Sequence, residues 1–181
     1  MNVKPMELNL SILALKKFSI LQKNYKFFLI SKSISLPSSK QENGPVGIAK
    51  RSDFPVPDTD IEYYYFVSYP CASVIAATFN QQVAEDVGNH MSEDMLFLGY
   101  NGIYGPGVNM HRTPYGGRAY EYPSEDPLLS GQIEFYESIG IESKGCIAFA
   151  KHFAMNDSET NRAHVGVWSN EQASREIYCR P

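Results

Sequence analysis

Gly145 to Arg162 reads GCIAFAKHFAMNDSETNR, and the fold turns on how its opening residues are taken. The run Cys146-Ile147-Ala148-Phe149-Ala150 is too short for a helix and has no polar alternation, which predicts a strand buried on both faces. Lys151 and His152 follow at once. At the C-terminal end of a parallel strand they would stand in the crevice where α/β folds gather their ligand-contacting groups. Two readings are open from this stretch alone: a ligand site, or two polar residues that mark where the strand leaves the core.

Outward from this strand the pattern repeats. Asp126-Pro127 has the form of an N-cap and first-turn proline, Leu129, Ile133 and Tyr136 fall on one helical face, and Gly140 is expected to close that helix. Further upstream Asn80 caps a helix in which Val83, Val87, Met91 and Met95 recur every four residues. Between the two helices come a short strand at Ile103-Tyr104 and an irregular loop from Gly105 to Glu125. A second long loop, Lys151 to Trp168, leads to a last helix opened by a capping box from Ser169 to Gln172. Strand, loop, helix, strand, loop, helix is the βα repeat of a parallel sheet. The loops after the strands are long and polar while the turn from Gly140 to Gly145 is short, so function is expected on one rim. A complete (β/α)8 barrel takes about 250 residues. The expected fold is therefore α/β, an incomplete TIM-type (β/α)8 barrel of roughly the first half, with an irregular N-terminal segment.

The N-terminal part is read separately, as residues 1–40 against 41–181. Leu8, Leu10, Ile12, Leu13, Leu15, Phe18, Ile20 and Leu21 are interrupted by Lys16 and Lys17 and followed by Lys23 and Lys26, which predicts one amphipathic helix. No uninterrupted apolar stretch or small-residue cleavage site marks a secretory signal, and no stretch has the length of a membrane span, so the expected location is cytoplasmic. Pro37, Pro45, Pro55 and Pro57 predict a loop region from Leu36 to Asp60, and aromatic Tyr63 to Tyr69 a strand.

Composition narrows the function classes. Sixteen basic and 20 acidic residues give a net charge of −4 without long runs of either sign, which argues against a nucleic-acid or membrane surface and suits a small neutral ligand. Cys71, Cys146 and Cys179 are odd in number and far apart, as buried reduced thiols would be. His90, His111, His152 and His164 show no metal-binding spacing, and Gly105-Pro106-Gly107 lacks the pattern of a dinucleotide loop. Neither a metal nor an organic cofactor is expected.

The two long loops carry a more specific signal. GPGVNMHRTPYGGRAYEYPSEDPLLSG from Gly105 to Gly131, KHFAMNDSETNR from Lys151, and VWSNEQASREIYCRP from Val167 together resemble the N-terminal barrel domain of glycoside hydrolase family 3, in its β-glucosidase-like branch. The resemblance is collinear from about Tyr69 to Pro181. It implies that Arg118, Lys151 and His152 hold hydroxyls of the sugar whose bond is cut. The residue types suit that role: a guanidinium fork, an ammonium with three donors, and a directional imidazole. Arg112, Glu121, Glu125, Asp126, Glu159 and Arg162 also match family positions and are read as pairing with one another to hold loop shape. Asn109 and His111 are read as packing beside the site.

Asn43-Gly44-Pro45-Val46-Gly47-Ile48 resembles the family's Asp-Gly-Pro-x-Gly segment, whose aspartate binds the same sugar. Here Asn43 keeps an acceptor oxygen but not the charge, which implies weaker binding. Ser38 to Glu42 are polar where that pattern has a buried strand.

The family cleaves terminal β-D-glucosides with retention, through a nucleophilic aspartate in a Ser-Asp-Trp-like segment and a separate acid/base residue. Neither segment is found; Ser52-Asp53-Phe54 precedes the Lys-His pair and is read as coincidence. Lys151-His152-Phe153-Ala154-Met155-Asn156-Asp157 also differs from the Lys-His-Phe-Pro-Gly-His-Gly segment of the family's β-N-acetylhexosaminidases. Two hypotheses result: part of a β-glucosidase or xylosidase, or a catalytically silent sugar-contacting remnant. A complementing chain or domain is expected to cover the open barrel edge.

Overall fold

The computed structural model describes residues 30–31, 34–35, 39–48 and 67–181. The chain divides into two units, Met1–Lys40 and Gln41–Pro181. In the first, β1 (Ile30–Ser31) and β2 (Ile34–Ser35) pair antiparallel. The amphipathic helix expected over residues 1–40 therefore does not extend through this ladder, and the rest of that helix lies outside the described residues. The loop from Leu36 to Asp60, the Ser52-Asp53-Phe54 segment and residues 63–66 of the expected aromatic strand also lie wholly or mostly outside them. The described end of that strand, Val67 to Tyr69, is not in a ladder, although the Tyr69 N–H donates to the Val46 carbonyl at 3.0 Å.

The second unit is built on a parallel three-stranded sheet in the order β3 (Gln41–Asn43), β4 (Gly102–Tyr104), β5 (Ile147–Ala148). Gln41 pairs with Gly102 and Asn43 with Tyr104, while Gly102 pairs with Ile147. The polar sequence of β3 does not prevent this, because the ladder is made by backbone groups. Tyr104 also donates its hydroxyl to Gln41 Oε1 at 2.8 Å. The register aligns the carboxyl ends of all three strands on one edge.

Helices α1 (Ala72–Ala77) and α2 (Gln81–Phe97) connect β3 to β4, and α3 (Pro127–Ser143) connects β4 to β5. Asn80 caps α2 by accepting the Gln82 N–H at 3.0 Å, and Asp126 caps α3 by accepting that of Leu129 at 2.8 Å. Both caps agree with the sequence. The buried stripe of α2 is rotated slightly from the expected one: Ala84, Gly88, Met91, Ser92 and Met95 face inward, and Val83 and Val87 flank them. Helix α3 does not stop at Gly140. Instead Gly140 lies inside the helix, where a Cβ would sit 2.1 Å from the Glu85 carbonyl oxygen; a Cβ on Gly88 would meet that of Glu137 at the same distance. Two glycines thus allow the two helix backbones to touch.

Met91, Met95, Ile103, Ile141 and Cys146 form one core cluster, and Ile75, Ala76, Ala84 and Ile133 a second. Each of the larger side chains contributes about 1.5–3 kcal/mol by leaving water. The strand predicted from Cys146 to Ala150 is shorter and less covered than expected. Cys146 is buried, but Ile147 is 47% exposed, because β5 lies at an edge of the described sheet. At the C-terminus the helix cap is Asn170, not Ser169: its side chain accepts the Ala173 N–H at 2.7 Å, opening α4 (Glu171–Ala173), which passes into a π turn over Ser174–Tyr178.

Candidate functional site

Strand alignment continues past β5. Lys151 donates its N–H to the Pro106 carbonyl at 3.0 Å and accepts from the Val108 N–H at 2.6 Å, which locks the loop after β4 to the loop after β5. The Gly105–Pro106 and Lys151–His152 peptides are both cis. This junction carries the Lys151 side chain to the carboxyl edge of the sheet. There Lys151 Nζ donates to Asn43 Oδ1 at 2.5 Å and lies 3.7 Å from Glu121 Oε2. Three separate segments of the sequence meet in that contact.

Glu121 sits in a short 3-10 turn, Ala119–Glu121, and is 2% exposed. Its carboxylate accepts from Arg118 Nη1 at 3.1 Å and from the Tyr120 hydroxyl at 2.9 Å. Arg118 reaches the other way with Nε, 2.6 Å from Glu159 Oε1, and Glu159 also pairs with Arg162 Nη1 at 3.2 Å. Cations and carboxylates alternate from Arg162 through Glu159, Arg118 and Glu121 to Lys151. Burial draws the Arg118 pKa down, but the bond to Glu159 and the charges of Glu121 and Glu159 outweigh it and leave it raised. Burial pulls Lys151 below the usual ammonium range despite the opposing Glu121 charge.

His152 occupies the second branch of the site. Its Nδ1 is 2.9 Å from the Tyr122 hydroxyl, with the rings edge to face at 6.2 Å between centroids. Burial, then the neighbouring Lys151 charge, lower its pKa, which favours the neutral imidazole. Asn156 Nδ2 reaches both Tyr122 Oη at 2.8 Å and Glu159 Oε1 at 3.0 Å, joining the imidazole branch to the ion-pair chain. Asn109 is buried beside Tyr122, and His111 fastens the loop through Nε2, 2.7 Å from the Ala119 carbonyl.

Arg118, Lys151, Asn43 and His152, which the sequence singles out, therefore gather at one edge. Among the flanking residues, Glu121 and Glu159 join the ion-pair chain, Asp126 is a cap, and Arg112 lies over the Tyr178 ring at 5.6 Å. Glu125 is exposed. Tyr122 and Asn156 carry no signal of their own in the sequence, although both lie inside the segments that resemble the family. Their partners are 30 and 34 residues away along the chain, a separation that spacing rules do not reach. Among the described residues no group of three or more His, Cys, Asp or Glu could hold a metal ion, no helix is long and apolar enough to cross a membrane, and Cys71, Cys146 and Cys179 are free thiols.

Fold and site together define an α/β protein with a polar, ion-paired site at the carboxyl ends of parallel strands. Residues 66–178 match the family model for the glycosyl hydrolase family 3 N terminal domain, and the chain belongs to that family. It is 34% identical over 148 residues to a putative beta-glucosidase of Schizosaccharomyces pombe, covering 82% of this chain and 17% of that protein. A probable beta-glucosidase I of Emericella nidulans is 36% identical over 149 residues, with the same two coverages. Among solved structures, beta-glucosidase 3B of Thermotoga neapolitana, in complex with alpha-D-glucose, superposes with a TM-score of 0.73 at 38% identity, covering 80% of this chain and 20% of that one. The beta-glucosidase of Kluyveromyces marxianus gives 0.74 at 30% identity, with 87% and 19% covered. The chain thus spans about a fifth or less of the length of these relatives.

Proposed function

We propose that this chain is the sugar-contacting part of a retaining β-glucosidase, and that Arg118, Lys151, His152 and Asn43 bind hydroxyls of a terminal β-D-glucosyl residue. The observation that carries this reading is the convergence of Asn43, Lys151 and Glu121 at the strand ends. Lys151 is tied on one side to an amide oxygen and on the other to a buried carboxylate, so one of its three donors remains for a ligand in a fixed direction. Arg118 is held by two carboxylates in the same way. Vicinal hydroxyls, which both donate and accept, suit such a mixed set of donors and acceptors.

In this reading the second unit is an incomplete (β/α)8 barrel, roughly its first half, and the nucleophile and acid/base belong to segments other than those in this sequence. Hydrolysis by the chain alone is therefore not expected. A complementing chain or domain would cover the sheet edge at Ile147 and the exposed side chains of Leu128, Phe135 and Ile139 on α3. The test is a calorimetric titration of the purified 181-residue chain with methyl β-D-glucoside. Saturable binding that disappears in Arg118→Ala and Lys151→Ala supports the reading. Equal heats from the chain and both variants would overturn it, and turnover of an aryl β-glucoside above background would overturn the catalytically silent part.

A further inference from the structure

We propose that Tyr122 and Asn156 are positioning residues that hold His152 in the neutral tautomer with its proton on Nε2, so that the imidazole offers a ligand a donor and not an acceptor. The ligand's identity as a sugar rests on the reading above; the tautomer does not.

The relay of hydrogen bonds starts at Glu159. Burial works against its charge, but the bonds from Asn156 and Arg118, together with the Arg118 and Arg162 charges, prevail and hold its pKa below the usual carboxylate value. An ionised carboxylate can only accept hydrogen bonds. The Asn156 side chain must therefore turn its amino group toward Glu159 Oε1, at 3.0 Å. The same nitrogen lies 2.8 Å from Tyr122 Oη, and its two protons serve the two contacts. Tyr122 is the acceptor in that bond.

Tyr122 has one proton to give, and burial raises its pKa so that the proton stays on the phenol. The remaining partner is His152 Nδ1 at 2.9 Å. A ring nitrogen that accepts carries no proton, and in a neutral imidazole the proton is then on Nε2. Tyr122 is almost wholly buried, so it acts through His152 and not by touching ligand. The charge state of a carboxylate seven residues along the chain is thus transmitted to the imidazole through an amide and a phenol.

The test is long-range 1H–15N correlation spectroscopy on the histidine-labelled full chain at neutral pH, without sugar. The His152 signals are assigned by their loss in His152→Gln. The expected result is a single-tautomer pattern with Nε2 protonated and Nδ1 bare. Tyr122→Phe removes the donor but keeps the ring, and loss of the single-tautomer signature is expected. Asn156→Asp replaces the donor by an acceptor for the Tyr122 proton, and the pattern should reverse to Nδ1-protonated. A wild-type chain with Nδ1 protonated, or an unchanged pattern in both variants, would overturn the proposal. Adding methyl β-D-glucoside to the same samples tests sugar binding separately, so either idea can fail alone.

Discussion

The site and helix α3 both bury carboxyl groups, and they treat them in opposite ways. Glu121 in the site is 2% exposed and is met by Arg118, Lys151 and Tyr120. Glu134 and Glu137 on α3 are 4% and 2% exposed, yet neither Glu134 oxygen has a partner, nor does Oε1 of Glu137. The charge acting on Glu134 is that of Glu137, and burial alone acts on Glu137. Burial pushes Glu134 up to about 10 and Glu137 to about 8. Equal burial of one residue type thus gives a charge network where cations are supplied and protonated acids where they are not.

The largest expected effect follows from that contrast. For a carboxyl group whose folded pKa is raised above its unfolded value, folding is most favoured below the unfolded value and weakens as pH rises. Stability should fall from about pH 5 to about pH 10 by several kcal/mol, since each pKa unit is worth about 1.4 kcal/mol. Replacing Glu134 and Glu137 together by Gln should flatten this alkaline limb, as read by urea unfolding at a series of pH values. An unchanged limb would mean that the two carboxyls already have cationic partners.

Glu121→Ala probes the other side of the comparison. It leaves Arg118 and Lys151 without their shared carboxylate and should cost about 3–5 kcal/mol at neutral pH. A loss under about 1 kcal/mol would reduce the network to ordinary surface pairs. Gly140→Ala should cost about 1–3 kcal/mol, because its methyl group meets the Glu85 backbone and the helices must separate. A neutral result would contradict the backbone contact between α2 and α3. The smallest effect belongs to Asn43→Asp, which gives Lys151 a charged partner: a gain of at most about 1 kcal/mol, reduced by salt in thermal unfolding, is expected.

The sequence carried the helices better than the charges. Asn80 and Asp126 are local caps, legible because the donor lies two or three residues away. The four-residue recurrence ending in Met91 and Met95 located the core face of α2. On α3 the apolar positions Leu129, Ile133 and Tyr136 do share the face packed in the core, whereas the burial of Glu134 and Glu137 carries no signal in the sequence. Both are buried in the fold, a tertiary outcome that no single-helix pattern contains. Gly140 reads as a helix stop in the sequence, yet it lies inside α3 against the Glu85 backbone, a contact between helices that the sequence does not show. In the site, residue types and the family resemblance pointed to Arg118, Lys151, His152 and Asn43. Which carboxylate holds which cation depends on loops crossing at Gly107 and Lys151 and was not visible.

Sugar binding at the strand ends is tested most directly by residue-by-residue chemical-shift mapping of the labelled chain during titration with methyl β-D-glucoside. Saturable shifts are expected to concentrate at Asn43, Arg118, Lys151 and His152 and to be abolished in Lys151→Ala, with the α2–α3 contact unaffected. Shifts elsewhere on the surface, or none at those four residues, would contradict it.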